Sequence, residues 1–72
     1  MWQIKSGSKW VRSQWGVWVN LDLVECINVV QDKTFYIRAC GQKEERYTQT
    51  YLAEFDTREK AQESLDQLMS NL

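Results

Sequence analysis

Two stretches rich in β-branched and aromatic residues, "VECINVV" (24–30) and "FYIRAC" (35–40), flank the polar "QDKT". Such residues fit a pleated, half-buried surface, so the pattern predicts an antiparallel hairpin. With Val30 opposite Phe35, one face holds Val24, Cys26, Val30, Phe35, Ile37 and Ala39, with Asn28 the single polar intruder. The other face then carries Glu25, Ile27, Val29, Tyr36, Arg38 and Cys40. In this register Cys26 faces Ala39, and Cys40 lies across from Glu25 on the opposite side, so the thiols cannot bond. A slip of one residue sets the two cysteines against each other, and the pattern leaves that choice open.

Upstream, "WQIK" predicts a short strand and "SGS" (6–8) a break. From Trp10 to Leu21 the pattern is mostly strand-like, with Gly16 marking a bulge. Trp15, Val17, Val19 and Leu21 share one parity and read as core. Trp10, Arg12 and Trp18 share the other if no bulge intervenes. "NLDL" (20–23) reads as a tight corner in which Asn20 and Asp22 bond their own backbone. Downstream, "GQKEER" (41–46) predicts a polar turn and "YTQTYLAEF" (47–55) another strand.

The tail changes period. Ala61, Leu65, Leu68 and Leu72 recur at steps of four, three and four, with Met69 beside them, which is one apolar stripe on a helix. Asp56 or Thr57 supplies the N-cap, and the Asp56–Glu59 spacing fits a capping box. Such a helix covers one face of a small sheet and cannot cover both. The expected fold is α+β in a single domain over 1–72, β-rich over 1–55 and helical over 56–72. It consists of an antiparallel sheet of four or five strands with the C-terminal helix across one face. Leu65, Leu68, Met69 and Leu72 are expected against Val24, Cys26, Val30, Phe35 and Ile37.

Composition adds limits. A chain of 72 residues has little surface to bury, and small domains commonly supplement their cores with large rings or self-association. No apolar run approaches the roughly 20 residues of a membrane span. The opening residues lack the apolar middle of a secretory signal, so a cytoplasmic protein is expected. Cys26 and Cys40 lack metal-ligand spacing and are expected reduced. The charge is uneven: residues 1–20 hold Lys5, Lys9 and Arg12 and no acid, while the rest carries a net −4.

The chain has no histidine, the commonest general base and metal ligand, and its glycines are too scattered for a phosphate loop. Its carboxylates show no pairing across a pocket. The expectation is a non-enzymatic protein with no cofactor and no metal. Two candidate surfaces remain. The sheet face away from the helix, with Ile27, Val29, Tyr36, Arg38, Tyr47 and Tyr51, predicts a protein interface, as a homodimer or with another protein. The segment "KWVRSQWGVWV" offers Lys9, Trp10, Arg12 and Trp18 for single-stranded nucleic acid, with bases on rings and cations on phosphates. The acidic whole and the few cations favour packing or a protein contact for these tryptophans.

Across "WVNLDLVECINVVQDKTFYI…LAEFDTREKAQESLDQLMSNL" the chain resembles a loose group of short bacterial and phage proteins. It is also similar there to the short flagellar-operon regulatory proteins, with their "LN-DLIE-IE" stretch and C-terminal helix. The resemblance spans residues 18–72 and implies the fold, with Asn20 and Asp22 shaping a corner and Thr57 capping a helix. It implies a small regulator or adaptor and no catalytic residue. The order of strands and then one helix also resembles the single-strand-binding transcriptional coactivator domains, whose lysine-rich loops are absent here.

Overall fold

The computed structural model describes residues 2–43 and 46–72, and within these the side chains outside 42–48. Three short strands come first: β1 (Gln3–Ile4), β2 (Trp10–Arg12) and β3 (Trp18–Asn20), an antiparallel sheet with β2 in the middle. Val11 pairs with Ile4 on one side and Val19 on the other, which turns three apolar side chains the same way. The β2–β3 connection is a turn and not the bulged strand expected from the pattern. Ser13 closes it twice, its N–H donating to the Val17 carbonyl at 2.7 Å and its hydroxyl accepting from the Val17 N–H at 3.0 Å. Gly16 sits inside this loop at φ 87°, a left-handed conformation that disfavours any side chain. Trp15 and Val17, expected in the core, therefore ride on the loop at 55% and 56% exposure.

A 3-10 turn over Leu21–Leu23 follows, with Asn20 Oδ1 accepting from the Asp22 N–H at 3.0 Å, so the expected corner forms. Beyond it lie β4 (Cys26–Asp32), β5 (Thr34–Lys43) and β6 (Arg46–Phe55), a second antiparallel sheet in the order β4-β5-β6. The fold is α+β, but with two three-stranded sheets where one sheet of four or five strands was expected. The corner is the reason: it turns the chain between β3 and β4, which do not pair. It is held close against β5, where a Cβ on Gly41 would come within 2.5 Å of the Leu23 carbonyl oxygen.

Lys33 alone separates the paired residues Asp32 and Thr34, and it adopts φ 59°. This tight turn sets Val30 opposite Tyr36, Val29 opposite Ile37 and Cys26 opposite Cys40. The register is one residue from the Val30–Phe35 alignment, and a one-residue slip exchanges the two faces of a strand. Ile27 and Val29 pack against the core, while Cys26 and Val30, expected beneath the helix, lie on the far face. Along β6 the register shifts at Ile37/Arg38, so Leu52 has no partner on β5. Its carbonyl accepts instead from the Gln14 N–H at 2.7 Å, and Gln14 Oε1 accepts from the Glu54 N–H at 2.8 Å. The β2–β3 loop is thus fastened to the β6 edge.

The helix α1 (Arg58–Ser70) begins at Thr57, whose hydroxyl accepts from the Lys60 N–H at 3.2 Å. Asp56 is not the cap; its carboxylate lies 3.2 Å from the Lys60 ammonium. Ala61, Leu65 and Leu68 are buried, and Leu65 and Leu68 pack in one cluster with Val11, Ile37, Ala39 and Leu52, with Trp2, Ile4, Val24, Ile27, Val29 and Phe55 around it. Full burial of one leucine such as Leu68 is worth about 1.5–3 kcal/mol. Met69 and Leu72, expected on the buried stripe, are 43% and 45% exposed, since the helix ends at Ser70 and Asn71 caps it. At the N-terminus, Trp2 Nε1 donates to the Ser64 carbonyl at 2.8 Å and ties the first strand to the helix.

Candidate functional site

The outer face of the N-terminal sheet follows from its register. Val11 and Val19 point inward, so their neighbours Trp10, Arg12 and Trp18 point out. Arg12 lies directly across from Trp18, and Trp10 sits diagonal to it, facing Asn20. Trp10 and Trp18 are 38% and 39% exposed. The Lys5 ammonium lies 5.1 Å from the Trp18 ring centre and 5.7 Å from that of Trp10, a cation over two π faces. Arg12 is steadied by its bond to Gln3 Oε1 at 3.1 Å and by the bare Gly16 backbone, where a Cβ would meet the guanidinium at 3.3 Å. Lys9 is turned to Asp22, at 3.7 Å. Trp15 stands on the adjoining loop. Rings and cations expected to share a face are therefore together, save that Lys9 is paired with an acid.

The outer face of the second sheet is different. Tyr36 and Tyr51 stack with centroids 4.5 Å apart and planes 19° apart. Beside them Arg38 Nη1 donates to Gln49 Oε1 at 3.5 Å, and its buried Nε has no partner. Thr34 donates to Glu54 Oε2 at 2.7 Å. This bond, and then one from Tyr36, holds the Glu54 carboxyl below its ordinary value. Of the residues expected to form this interface, Tyr36, Arg38 and Tyr51 are on the face. Ile27 and Val29 are on the opposite one, for the register reason given above. The Tyr47 side chain lies outside the described residues.

On this same far face the Cys26 and Cys40 sulfurs are 2.6 Å apart, both as thiols. The hydrogen bond to Cys40 and the accompanying desolvation push the Cys26 thiol above its ordinary value. Residues that the pattern misassigned, Trp15 and Val17, have one usable signal: a Ser-x-x-Gly spacing that permits a closed loop in place of a strand.

A hollow of about 170 Å³ bounded by Trp2, Gln14, Ala53, Phe55 and Ser64 contains no titratable side chain. Among the described residues no group of three metal-ligating side chains gathers, and no helix is long and apolar enough to cross a membrane. No protein-family model, curated protein or solved structure matches this chain.

Proposed function

We propose that this chain is a non-enzymatic binding module, a small regulator or adaptor whose recognition surface is the outer face of the N-terminal sheet, directed at another protein. The observation behind this reading is the pair Trp10 and Trp18 with Arg12 and Lys5, partly open to solvent, with Trp15 bordering the same hollow as Arg12. Tryptophan and arginine dominate the few interface residues that carry most binding energy, and a rigid pair of rings loses little entropy on docking. The test is affinity capture with wild type and Trp18→Ala baits side by side. A protein retained by wild type and lost by the variant, with both baits folded by circular dichroism, is the expected result. Identical profiles from the two baits would remove this face from the account.

The co-facial placement of Trp10, Arg12 and Trp18 also supports a second reading, single-stranded nucleic acid. Two features weigh against it. Lys5 lies over both rings, so a stacking base must displace it. Lys9 faces Asp22, leaving Lys5 and Arg12 for phosphates, which gives a log–log salt slope of only about −1.4. Salt-sensitive tryptophan quenching by a labelled oligonucleotide would reverse the ranking of the two readings.

A further inference from the structure

Outside the tryptophan face, the least finished part of the molecule is the outer edge of β4. The opposite edge of the same sheet, β6, is engaged by Gln14. Among the described residues nothing pairs with β4 beyond β5. Edge strands are ordinarily protected by lysine, proline, bulges or brevity. The strand "CINVVQD" has seven residues, a continuous register and no charge before Asp32. Burial also stops short there. Ile37 and Ala39 on β5 are 0% and 3% exposed, while their inward-facing neighbours on β4, Val29 and Ile27, are only half-buried. Beside them a hollow of about 190 Å³ opens between Leu21, Val24, Ile27, Met69 and Leu72.

We propose that a second copy of this chain pairs antiparallel along β4, about a two-fold axis at Val29, giving a continuous six-stranded sheet. The Glu25 N–H points at β5, donating to the Cys40 carbonyl at 2.8 Å. Cys26 lies directly opposite Cys40, whose carbonyl faces β4, so the even-numbered residues of β4 bond to β5. Ile27, Val29 and Gln31 turn their backbone groups outward, and odd-numbered residues must oppose odd-numbered ones. Two-fold axes at Asn28, Val29 or Val30 satisfy this. An axis at Asn28 sets Asp32 against the partner's Val24, and an axis at Val30 sets Lys33 against the partner's Ile27. The axis at Val29 sets Glu25 opposite the partner's Lys33, twice by symmetry, and closes Val29 on the partner's Val29. It alone pairs Glu25 with Lys33, and it sets the remaining end charge, Asp32, against the partner's Cys26 and not against a valine or an isoleucine. This goes beyond the binding reading and does not use the tryptophan face, which the dimer would display twice.

Sedimentation of the full chain at about 50 µM tests the arrangement, with the dimer as the expected species. Glu25→Lys and Lys33→Glu are exposed changes that each turn two attractive pairs into repulsive ones, and each should weaken the dimer roughly tenfold or more. The double swap, Glu25→Lys with Lys33→Glu, should restore it. A monomeric wild type would overturn the proposal, as would a dimer indifferent to both single swaps or not rescued by the double. Dissociation by Trp18→Ala alone would move self-association to the tryptophan face and would also overturn it. A dimer that survives Trp18→Ala while protein capture is lost supports both readings separately.

Discussion

The two sheets solve the same problem with different material. The N-terminal sheet has strands of two or three residues, held by loop hydrogen bonds and by fastening to β6 and the helix. Its inner face is Ile4, Val11 and Val19, and its outer face carries two tryptophans with two cations. The second sheet has strands of seven and ten residues, and β4 is left open at its edge. The buried core and the exposed ring cluster are therefore separated in space. The core lies between the second sheet and the helix, with Val11 as the first sheet's deepest contribution. The exposed rings contribute far less to it.

The sharpest contrast in mutational cost follows. Leu68→Ala removes a fully buried side chain from the centre of the core and should cost about 2–5 kcal/mol in a denaturant titration. Trp18→Ala, at a partly open site, should cost no more than about 1 kcal/mol. Equal losses would mean that the tryptophan face is structural, and the comparison between the sheets would collapse.

A smaller effect is expected at the turn that sets the register. Lys33 is a non-glycine residue in the left-handed region, which costs about 1–2 kcal/mol, partly offset by the stiffer unfolded chain. At a concentration where the chain is monomeric, Lys33→Gly should raise the unfolding free energy by about 0.5–1 kcal/mol without altering the spectrum of the fold. A loss of stability would show that the side chain of Lys33 does something the turn geometry does not explain.

The smallest effect is expected at Glu54. Its carboxyl is held below the ordinary 4.5, first by the Thr34 hydroxyl and then by Tyr36. A lowered acid pKa adds stability that is complete above the ordinary value and lost as the pH falls through the folded one. This corner of the second sheet should therefore weaken only below about pH 4.5. Thr34→Val should move the Glu54 titration, followed by carboxyl carbon shifts, up toward that value. No movement would remove the hydroxyl as the cause.

Much of this was legible in the sequence, and the failures have a common physical origin. The helix and the Asn20 corner follow from local chemistry, periodicity and capping side chains. Trp10, Arg12 and Trp18 share a face because β2 and β3 pair across a loop, not because one strand runs through them. The faces of β4 do not follow from local chemistry either. Cys26 and Val30 on one side are nearly as apolar as Ile27 and Val29 on the other, so the pattern has no preference between two registers. The choice rests with a one-residue turn at Lys33, a lysine where left-handed backbone ordinarily calls for glycine or asparagine. Trp15 was lost in a similar way, because "VRSQWGVWV" alternates well enough to read as one strand while Ser13 and Gly16 fold it into two.

Which side chains meet across β4 and β5, and which of them face the helix, depends on that register. The most direct measurement uses the two cysteines. Directly opposed strand residues have Cα atoms about 4.5–5.5 Å apart, within the span of a disulfide. Incubation with an excess of a low-molecular-weight disulfide at alkaline pH, chosen because the Cys40 hydrogen bond raises the Cys26 thiol, lets the protein dithiol be oxidised as the reagent is reduced to two thiols. The account expects a monomolecular product lighter by two hydrogens, with both thiols consumed and Cys26 linked to Cys40 in a peptide map. In the alternative register the sulfurs lie on opposite sides of the sheet. Accumulation of chains carrying the reagent on each cysteine, with no internal crosslink, would contradict it.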